Sequence, residues 1–217
     1  MGYLENKRDA LLMNALQNGG GRLPSEYQKI EWIGGTGTQY LLINSAPLKA
    51  DYIETKIACE FITNDEYLIS GHAWNPNNNR FGIGGKFTRS TVANFHYAYG
   101  GMATINPPYM NTIYDNDFHT WIYENGVFEI VDKSDIVNVS SRIYGDDNSR
   151  KIQIFKGYSA ILSGKIKYFI QKRNGEEIAN LVPCYRKSDN EIGMYDTVTQ
   201  TFYTNAGTGT FDKGPDV

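Results

Sequence analysis

GKIKYFI, residues 164–170, alternates polar and apolar side chains with a period of two. The same alternation occurs in YIETKIA, residues 52–58, and in TWIY, residues 120–123. A period of two places alternate side chains on opposite faces of a strand, so these stretches predict half-buried β-strands. β-branched and aromatic residues, which suit a pleated sheet, recur throughout residues 23–217. An all-β fold is therefore predicted.

Turn signals separate the predicted strands. Asn125-Gly126 and Asn174-Gly175 are dipeptides typical of two-residue hairpin turns, and further polar clusters occur at residues 146–148 and 205–207. After residue 23 no second long helical pattern occurs, and strands do not alternate with helices. The pattern predicts a two-sheet antiparallel sandwich of the jelly-roll type, with a closed barrel as the alternative.

The first 22 residues differ from the rest. Apolar side chains recur at helical spacing in residues 1–17, which predicts a short amphipathic α-helix, and Gly19-Gly20-Gly21 predicts its end and a flexible linker. We therefore expect two parts, an N-terminal helical anchor with its glycine linker at residues 1–22 and a β-sandwich at residues 23–217. The leucines expected to form the apolar face of the anchor are Leu4, Leu11, Leu12 and Leu16.

The partner of this anchor helix is left open by the sequence. A helix of about 15 residues is marginally stable alone in water, so it needs a surface on which to bury its leucines. That surface is either its own sandwich, another protein or a second copy of the chain. No sustained heptad repeat selects an oligomeric state.

Composition excludes several classes of partner. The 217 residues include 21 basic and 24 acidic side chains, for a formal net charge of -3. Such a balance provides no basic surface for nucleic acid or for an anionic membrane. No apolar run approaches the roughly 20 residues needed to cross a bilayer, and no secretory signal is recognised near the N-terminus. Neither a nucleic acid nor a membrane is an expected partner.

The two cysteines are Cys59 and Cys184. They lack the spacing of a metal or redox motif and are too few for a disulfide framework. We expect both to be free, buried thiols.

Two long segments carry a family resemblance. The first is LPSEYQKIEWIGGTGTQY, residues 23–40, and the second spans residues 178–211 and contains PCYRKSDNEIGMYD at residues 183–196. Together with FHTW at 118–121 and IQIF at 152–155, they resemble the concanavalin A-like, or laminin-G-like, domains of virion and surface proteins of gut Firmicutes and their phages. The resemblance spans residues 23–217.

This resemblance implies a lectin-like jelly-roll sandwich that serves as a binding or structural module of a phage particle. It implies a virion protein, synthesised and assembled in the cytoplasm of the bacterial host, that acts as a capsid decoration, head-fibre or tail-associated protein. The N-terminal helix would then attach to other virion proteins or to sister subunits. The alternative function is a carbohydrate-binding adhesion module that recognises bacterial surface glycan or mucus.

Candidate glycan-binding residues lie in two stretches. WNPNNNR, residues 74–80, combines an indole, planar amides and a guanidinium, which stack on sugar rings or hydrogen-bond to hydroxyls. A second stretch, residues 96–109, is rich in tyrosine and glycine. The competing interpretation is that strand aromatics pack in a core and that Asn-rich loops are solvated. The candidate residues are Trp74, Asn75, Asn77, Arg80, Tyr97, Tyr99 and Tyr109.

Two oxygen-rich turns are candidate calcium sites, although no cofactor is expected. Carboxylates and carbonyls of such loops hold calcium in lectin-like sandwiches, but asparagine and aspartate also stabilise turns by themselves. The carboxylates concerned are Asp115, Asp117, Asp146 and Asp147.

No catalytic residues are predicted. Glu124 and Glu129 flank a turn and do not form the closely spaced carboxylate pair that a retaining glycosidase requires. His72, His96 and His119 lack a zinc-protease motif. We expect His119, which is close to Trp121 on a central strand, to be a buried, hydrogen-bonded histidine.

Overall fold

The computed structural model describes residues 22–59, 66–72, 80–87, 94–99, 103–105, 114–125, 127–133, 138–140, 150–157 and 161–217. Within these residues the chain is all-β, and the only helix is one 3-10 turn at Val131–Lys133. In this part of the chain no helix is long and apolar enough to span a membrane. The predicted N-terminal helix, with Leu4, Leu11, Leu12 and Leu16, lies outside the described residues.

Within the described residues, the larger of two antiparallel sheets has eleven strands. They are β1 (Tyr27–Lys29), β2 (Ile33–Thr36), β4 (Tyr52–Ala58), β9 (His119–Glu124), β10 (Val127–Ile130), β11 (Asn138–Ser140), β13 (Ser163–Arg173), β14 (Glu176–Arg186), β15 (Glu191–Asp196), β16 (Thr201–Thr204) and β17 (Asp212–Lys213). Neighbours follow the order β11-β10-β9-β4-β13-β14-β15-β16. In addition, β1 pairs with β14, and β2 lies between β13 and β17.

In the part of the chain that the structure describes, the smaller sheet has six strands in the order β3-β12-β5-β6-β7-β8. They are β3 (Leu41–Leu42), β5 (Glu66–His72), β6 (Arg80–Phe87), β7 (Asn94–Tyr99), β8 (Ala103–Ile105) and β12 (Gln153–Ile154). The two sheets confirm the prediction of an all-β, antiparallel fold.

Hairpins form where the sequence predicts them. Asn174 and Gly175, with φ of 52° and 84°, make the left-handed two-residue turn between β13 and β14. Asn125, with φ of 48°, lies at the end of β9, which pairs with β10. The predicted C-terminal hairpin is formed by β15 and β16, in which Tyr195 lies opposite Phe202.

One hydrophobic core joins the two sheets, as in a β-sandwich. Phe81 of β6 packs edge-on against Tyr123 of β9, with 5.7 Å between ring centroids. Trp121 and Phe128 of the larger sheet are fully buried in the same cluster. Burial of a large apolar side chain contributes about 1.5–3 kcal/mol, so these rings are a major stabilising contact between the sheets. Cys59 and Cys184 are free and buried, as predicted.

Phe155 is a core residue in an unusual backbone conformation. Its φ of 67° lies in the left-handed region, which bulky residues rarely adopt. Its ring occupies the space where side chains at Gly35 and Gly164 would lie, since added Cβ atoms there would approach the ring at 3.2 Å and 3.4 Å. Glycine at both positions therefore lets a fully buried phenylalanine pack directly on two strands of the larger sheet.

The first and last strands of the described chain form one block. Tyr27 of β1 lies opposite Arg186 of β14, and Gly34 of β2 lies opposite Asp212 of β17. Further along, Gly207 approaches Thr38 so closely that an added Cβ would lie 2.1 Å from the carbonyl oxygen of Thr38. Segments more than 140 residues apart in sequence are thus neighbours in the sheet.

Candidate functional site

Most of the predicted sugar-contact residues lie outside the described part of the chain. This group comprises Trp74, Asn75, Asn77 and Tyr109. Arg80 is the first residue of β6 and pairs with His72, while Tyr97 and Tyr99 lie within β7. Because Phe81 lies opposite Tyr99, the backbones of Arg80 and Tyr99 are near each other at one end of the smaller sheet. The two tyrosines thus belong to a strand rather than to a loop.

The predicted calcium carboxylates are divided in the same way. Asp146 and Asp147 lie outside the described residues, whereas Asp115 and Asp117 lie in the loop before β9. Asp115 Oδ1 accepts a hydrogen bond from the backbone N–H of Asp117 at 2.9 Å, which is the turn chemistry considered above. Among the described residues, no group of three or more histidine, cysteine, aspartate or glutamate side chains is arranged to hold a metal ion.

His119 is buried and bonded on both sides, as the sequence predicts. Its Nε2 lies 2.9 Å from Asp115 Oδ1, and its Nδ1 lies 2.5 Å from Asp132 Oδ2. Partial burial opposes ionisation of Asp115, but its hydrogen bonds to the Asp117 N–H and to His119 hold the pKa of that carboxyl below its usual value. The histidine therefore ties the loop before β9 and the 3-10 turn after β10 to the start of β9.

Three carboxylates are buried among the described residues: Asp51, Glu54 and Asp196. Asp51 accepts hydrogen bonds from Arg173 Nε at 2.9 Å, from Gln171 Nε2 at 2.7 Å and from the Leu48 N–H at 2.8 Å. Asp196 accepts hydrogen bonds from two backbone N–H groups and a threonine hydroxyl. Both carboxylates therefore have structural partners.

Glu54 lies on the face of β4 opposite the core-facing Ile53. Its carboxylate accepts hydrogen bonds from the Tyr52 hydroxyl and, at 2.8 Å, from the Tyr168 hydroxyl. Burial, with the adjacent Glu54 charge and its hydrogen bonds, raises the pKa of both tyrosines well above the usual value. Glu54 is thus enclosed by two neutral hydroxyl donors.

The candidate site lies at Gly34, in the middle of β2. Gly34 pairs with Asp212 of β17 on one side and with Lys165 of β13 on the other. Adjacent strands are about 4.8 Å apart, so the backbones of Asp212 and Lys165 are separated by about 10 Å across a residue that has no side chain. A depression therefore lies between an acidic and a basic side chain, and we call it the Gly34 notch.

Trp32 forms one wall of the Gly34 notch. An added Cβ at Gly34 would lie 3.2 Å from Trp32 Cζ3, so this edge of the indole borders the notch. An added Cβ at Gly214 would lie 2.7 Å from Trp32 Nε1, so only glycine there lets the indole pack on the C-terminal segment. Lys165 Nζ is 5.2 Å from the centroid of the Trp32 ring, a favourable cation–π distance. The indole is therefore held in place by its neighbours.

The Gly34 notch is small, open and polar. Its volume is ≈ 230 Å³. Its charged groups are not joined to each other, since no ion pair within the described residues links Lys165 and Asp212. The side chains and backbone that line it belong to Trp32, Gly34, Gly35, Thr36, Asn116, Ser163, Gly164, Lys165 and Asp212.

The arrangement suits a ligand the size of one ring that carries hydroxyl groups. The indole edge supplies apolar van der Waals contact to the rim of such a ring, while hydroxyl, amide and charged side chains bond to its substituents. The volume falls below the roughly 300–1,000 Å³ that holds a drug-sized ligand, so one ring or a terminal unit fits better than an extended chain.

Sequence reasoning did not select Trp32, Gly34, Lys165 or Asp212. The available signal was the glycine at the middle of Trp32-Ile33-Gly34-Gly35-Thr36, two residues from an aromatic and two residues from a hydroxyl. Glycine inside a strand often marks a close approach or a bulge. The strand pairing that places Lys165 and Asp212 beside it joins residues more than 130 positions apart and is not visible in the local pattern.

Comparison with protein-family models and with curated proteins gives no match. The class that the fold and the site define is an all-β protein with two antiparallel sheets and an open polar notch on the larger sheet.

Proposed function

We propose that this chain is a non-enzymatic structural protein of a phage particle that displays a concanavalin A-like jelly-roll sandwich. Capsid decoration, head-fibre and tail-associated proteins are the roles that match this proposal. The N-terminal helix attaches the sandwich to other virion proteins or to sister subunits.

The proposal is supported mainly by one observation: the two segments that carry the family resemblance are neighbours in the folded structure. Residues 23–40 and 178–211 are far apart in sequence, but β1 pairs with β14 in the larger sheet. The loop after β2 continues the contact, since the Ala206 N–H donates to the Tyr40 carbonyl at 2.9 Å and the Thr208 N–H donates to the Thr38 carbonyl at 3.0 Å. The resemblance therefore coincides with one packed unit, which supports its use as a guide to the family.

The non-enzymatic part of the proposal is supported by the buried carboxylates. Asp51, Glu54 and Asp196 each accept hydrogen bonds from fixed protein groups, so they serve packing and loop attachment. A general acid or base needs access to substrate.

Particle incorporation tests the structural role. The full chain and a chain lacking residues 1–17 are produced during phage growth, and purified particles are analysed by quantitative mass spectrometry. We expect the full chain to be present at a fixed copy number and the shortened chain to be lost. A control carrying Asn14→Ala and Gln17→Ala, on the polar side of the predicted helix, should be incorporated normally. Absence of the full chain from particles, or full occupancy by the shortened chain, contradicts the proposal.

A second candidate function is a carbohydrate-binding adhesion module for bacterial surface glycan or mucus. The observation that favours it is the Gly34 notch, in which the edge of Trp32 borders a polar depression the size of one ring. A glycan array with the wild type, Trp32→Ala and Trp74→Ala tests this function and distinguishes the two sites. Loss of binding in Trp32→Ala alone assigns the notch, loss in Trp74→Ala alone assigns the loop, and no binding by the wild type contradicts adhesion to glycan.

A further inference from the structure

The charges of the Gly34 notch allow a sharper inference about its ligand, which rests on the second candidate function. We propose that the notch binds a saccharide unit that carries one anionic and one cationic substituent. Lys165 then faces the anionic substituent, Asp212 faces the cationic one, and Trp32 packs against the ring between them.

The register of three strands places the two charges on either side of Gly34. Gly34 has Lys165 directly opposite on β13 and Asp212 directly opposite on β17. Directly opposite residues point to the same face of a sheet, so both charged side chains rise from the face on which the notch lies. Their backbones are about 10 Å apart, roughly the width of a ring with a substituent at each end.

Neither Lys165 nor Asp212 forms an ion pair among the described residues. Elsewhere on the same sheet, lysines lie close to carboxylates: Lys167 Nζ is 2.6 Å from Glu31 and Lys213 Nζ is 2.7 Å from Asp216. Lys165 instead lies near the Trp32 ring, and Asp212 is exposed to solvent. An opposite pair of charges separated by a glycine is complementary to a ligand of reversed polarity, in which each charge meets its counterion.

The two charges favour some ligands over others according to the charge of the ligand. A neutral sugar leaves both protein charges to water, while a purely acidic or purely basic sugar satisfies one and brings a like charge toward the other. An exposed ion pair contributes up to about 1 kcal/mol, which corresponds to roughly a fivefold change in affinity. A zwitterionic sugar gains from both pairs and is therefore the preferred ligand.

Four monosaccharides separate these contributions. 2-Amino-2-deoxyglucuronic acid carries an amine at C2 and a carboxylate at C6, at opposite ends of the ring. Glucosamine carries the amine, glucuronic acid carries the carboxylate and glucose carries neither. The full chain is titrated with each sugar, and binding is followed by NMR through the indole N–H signals of its three tryptophans. Trp32→Phe assigns the Trp32 signal. We expect 2-amino-2-deoxyglucuronic acid to shift that signal and to bind about fivefold more tightly than glucosamine or glucuronic acid, with glucose weakest.

Three variants test the assignment of each charge. Lys165→Met retains the aliphatic stem and should reduce the affinity for 2-amino-2-deoxyglucuronic acid to that for glucosamine, while Asp212→Asn should reduce it to that for glucuronic acid. Gly34→Val adds a β-branched side chain that suits a strand and occupies the notch, so it should abolish binding of every sugar. Circular dichroism and the thermal midpoint establish that each variant is folded.

The outcomes separate failure of this inference from failure of the adhesion function. Equal binding of all four sugars at Trp32, lost in Gly34→Val, overturns the charge preference and retains a sugar site in the notch. Signal changes at Trp74 alone, or unchanged binding by Gly34→Val, overturn the notch as the site. No shift of any tryptophan signal with any of the four sugars overturns both the inference and its ligand class.

Discussion

Asp51 directly precedes β4 and Asp212 begins β17, so both carboxylates lie at strands of the larger sheet. Their surroundings differ. Asp51 is fully buried and receives hydrogen bonds from Arg173, Gln171 and the Leu48 N–H. Asp212 is exposed beside Gly34, and no ion pair joins it to Lys165 across the notch. Carboxylates of the first kind hold loops to strands, while a carboxylate of the second kind is available to a ligand.

The same division applies to glycine. Gly207 permits contact between two backbone segments, because an added Cβ would lie 2.1 Å from the Thr38 carbonyl oxygen. An added Cβ at Gly34 would meet its closest neighbour, a side-chain carbon of Trp32, at 3.2 Å. The first glycine is required by a backbone contact, whereas the second is buried beneath a side chain that can shift. The two positions should therefore respond differently to substitution.

The largest effect is expected from Asp51→Ala. The substitution removes the acceptor of hydrogen bonds from the Gln171 amide, the Leu48 N–H and the partly exposed Arg173 guanidinium, and leaving these donors without it costs about 3 kcal/mol in all. Urea denaturation measures the unfolding free energy. The control, Asp189→Ala, removes an exposed partner of Arg186 and should leave the midpoint unchanged. A midpoint for Asp51→Ala equal to that of the wild type would show that the buried network is not stabilising.

The next effect is expected from Gly207→Ala. The new methyl group must displace the backbone at Thr38, and such overpacking costs about 2 kcal/mol. Its matched control is Gly34→Ala, in which only the Trp32 side chain has to move by a few tenths of an ångström, with an expected loss below about 1 kcal/mol. Thermal unfolding of both variants ranks them. Equal losses would remove the distinction between a glycine that faces backbone and one that faces a movable side chain.

A third, smaller effect depends on pH. Because the folded-state pKa of Tyr52 and Tyr168 is raised above the ordinary value of 10.0, the unfolded state loses these protons first as pH rises. Their contribution to stability is therefore complete below pH 10 and decreases above it. In Tyr52→Phe/Tyr168→Phe the thermal midpoint should fall less steeply between pH 9 and pH 11 than in the wild type, because the two hydroxyl protons that titrate there have been removed. Parallel curves would show that these hydroxyls are not the groups responsible.

The smallest effect is expected from Asp212→Asn. A surface substitution away from any buried partner changes the unfolding free energy by no more than about 0.5 kcal/mol. The same variant should lose selectivity for a cationic substituent in the sugar titrations. A large loss of stability would place Asp212 among the structural carboxylates and contradict its assignment to an open site.

Much of the fold is predictable because its signals are local. Alternation in residues 52–58 and 164–170 predicts β4 and β13, and Asn174-Gly175 predicts the turn after β13 because few other residues accept a positive φ. The burial of His119 beside Trp121 follows from its place on a central strand. These features depend on neighbours within a few residues in the sequence.

The candidate site is less predictable because its geometry is non-local. Trp32 and Gly34 are visible in one short stretch, but only the pairing of β2 with β13 and β17 adds Lys165 and Asp212. Neither local pattern contains information about that register. The sequence therefore directs attention to the aromatic loop around Trp74, where amides and an indole are adjacent in the chain, rather than to a site assembled from three strands.

A crystal structure of the full chain with 2-amino-2-deoxyglucuronic acid locates the ligand and the direction of its two charges. We expect ligand density over Gly34, with the carboxylate toward Lys165, the amine toward Asp212 and the sugar ring against Trp32. A ligand elsewhere on the chain, or a ligand in the notch with both charged substituents directed to solvent, would contradict it.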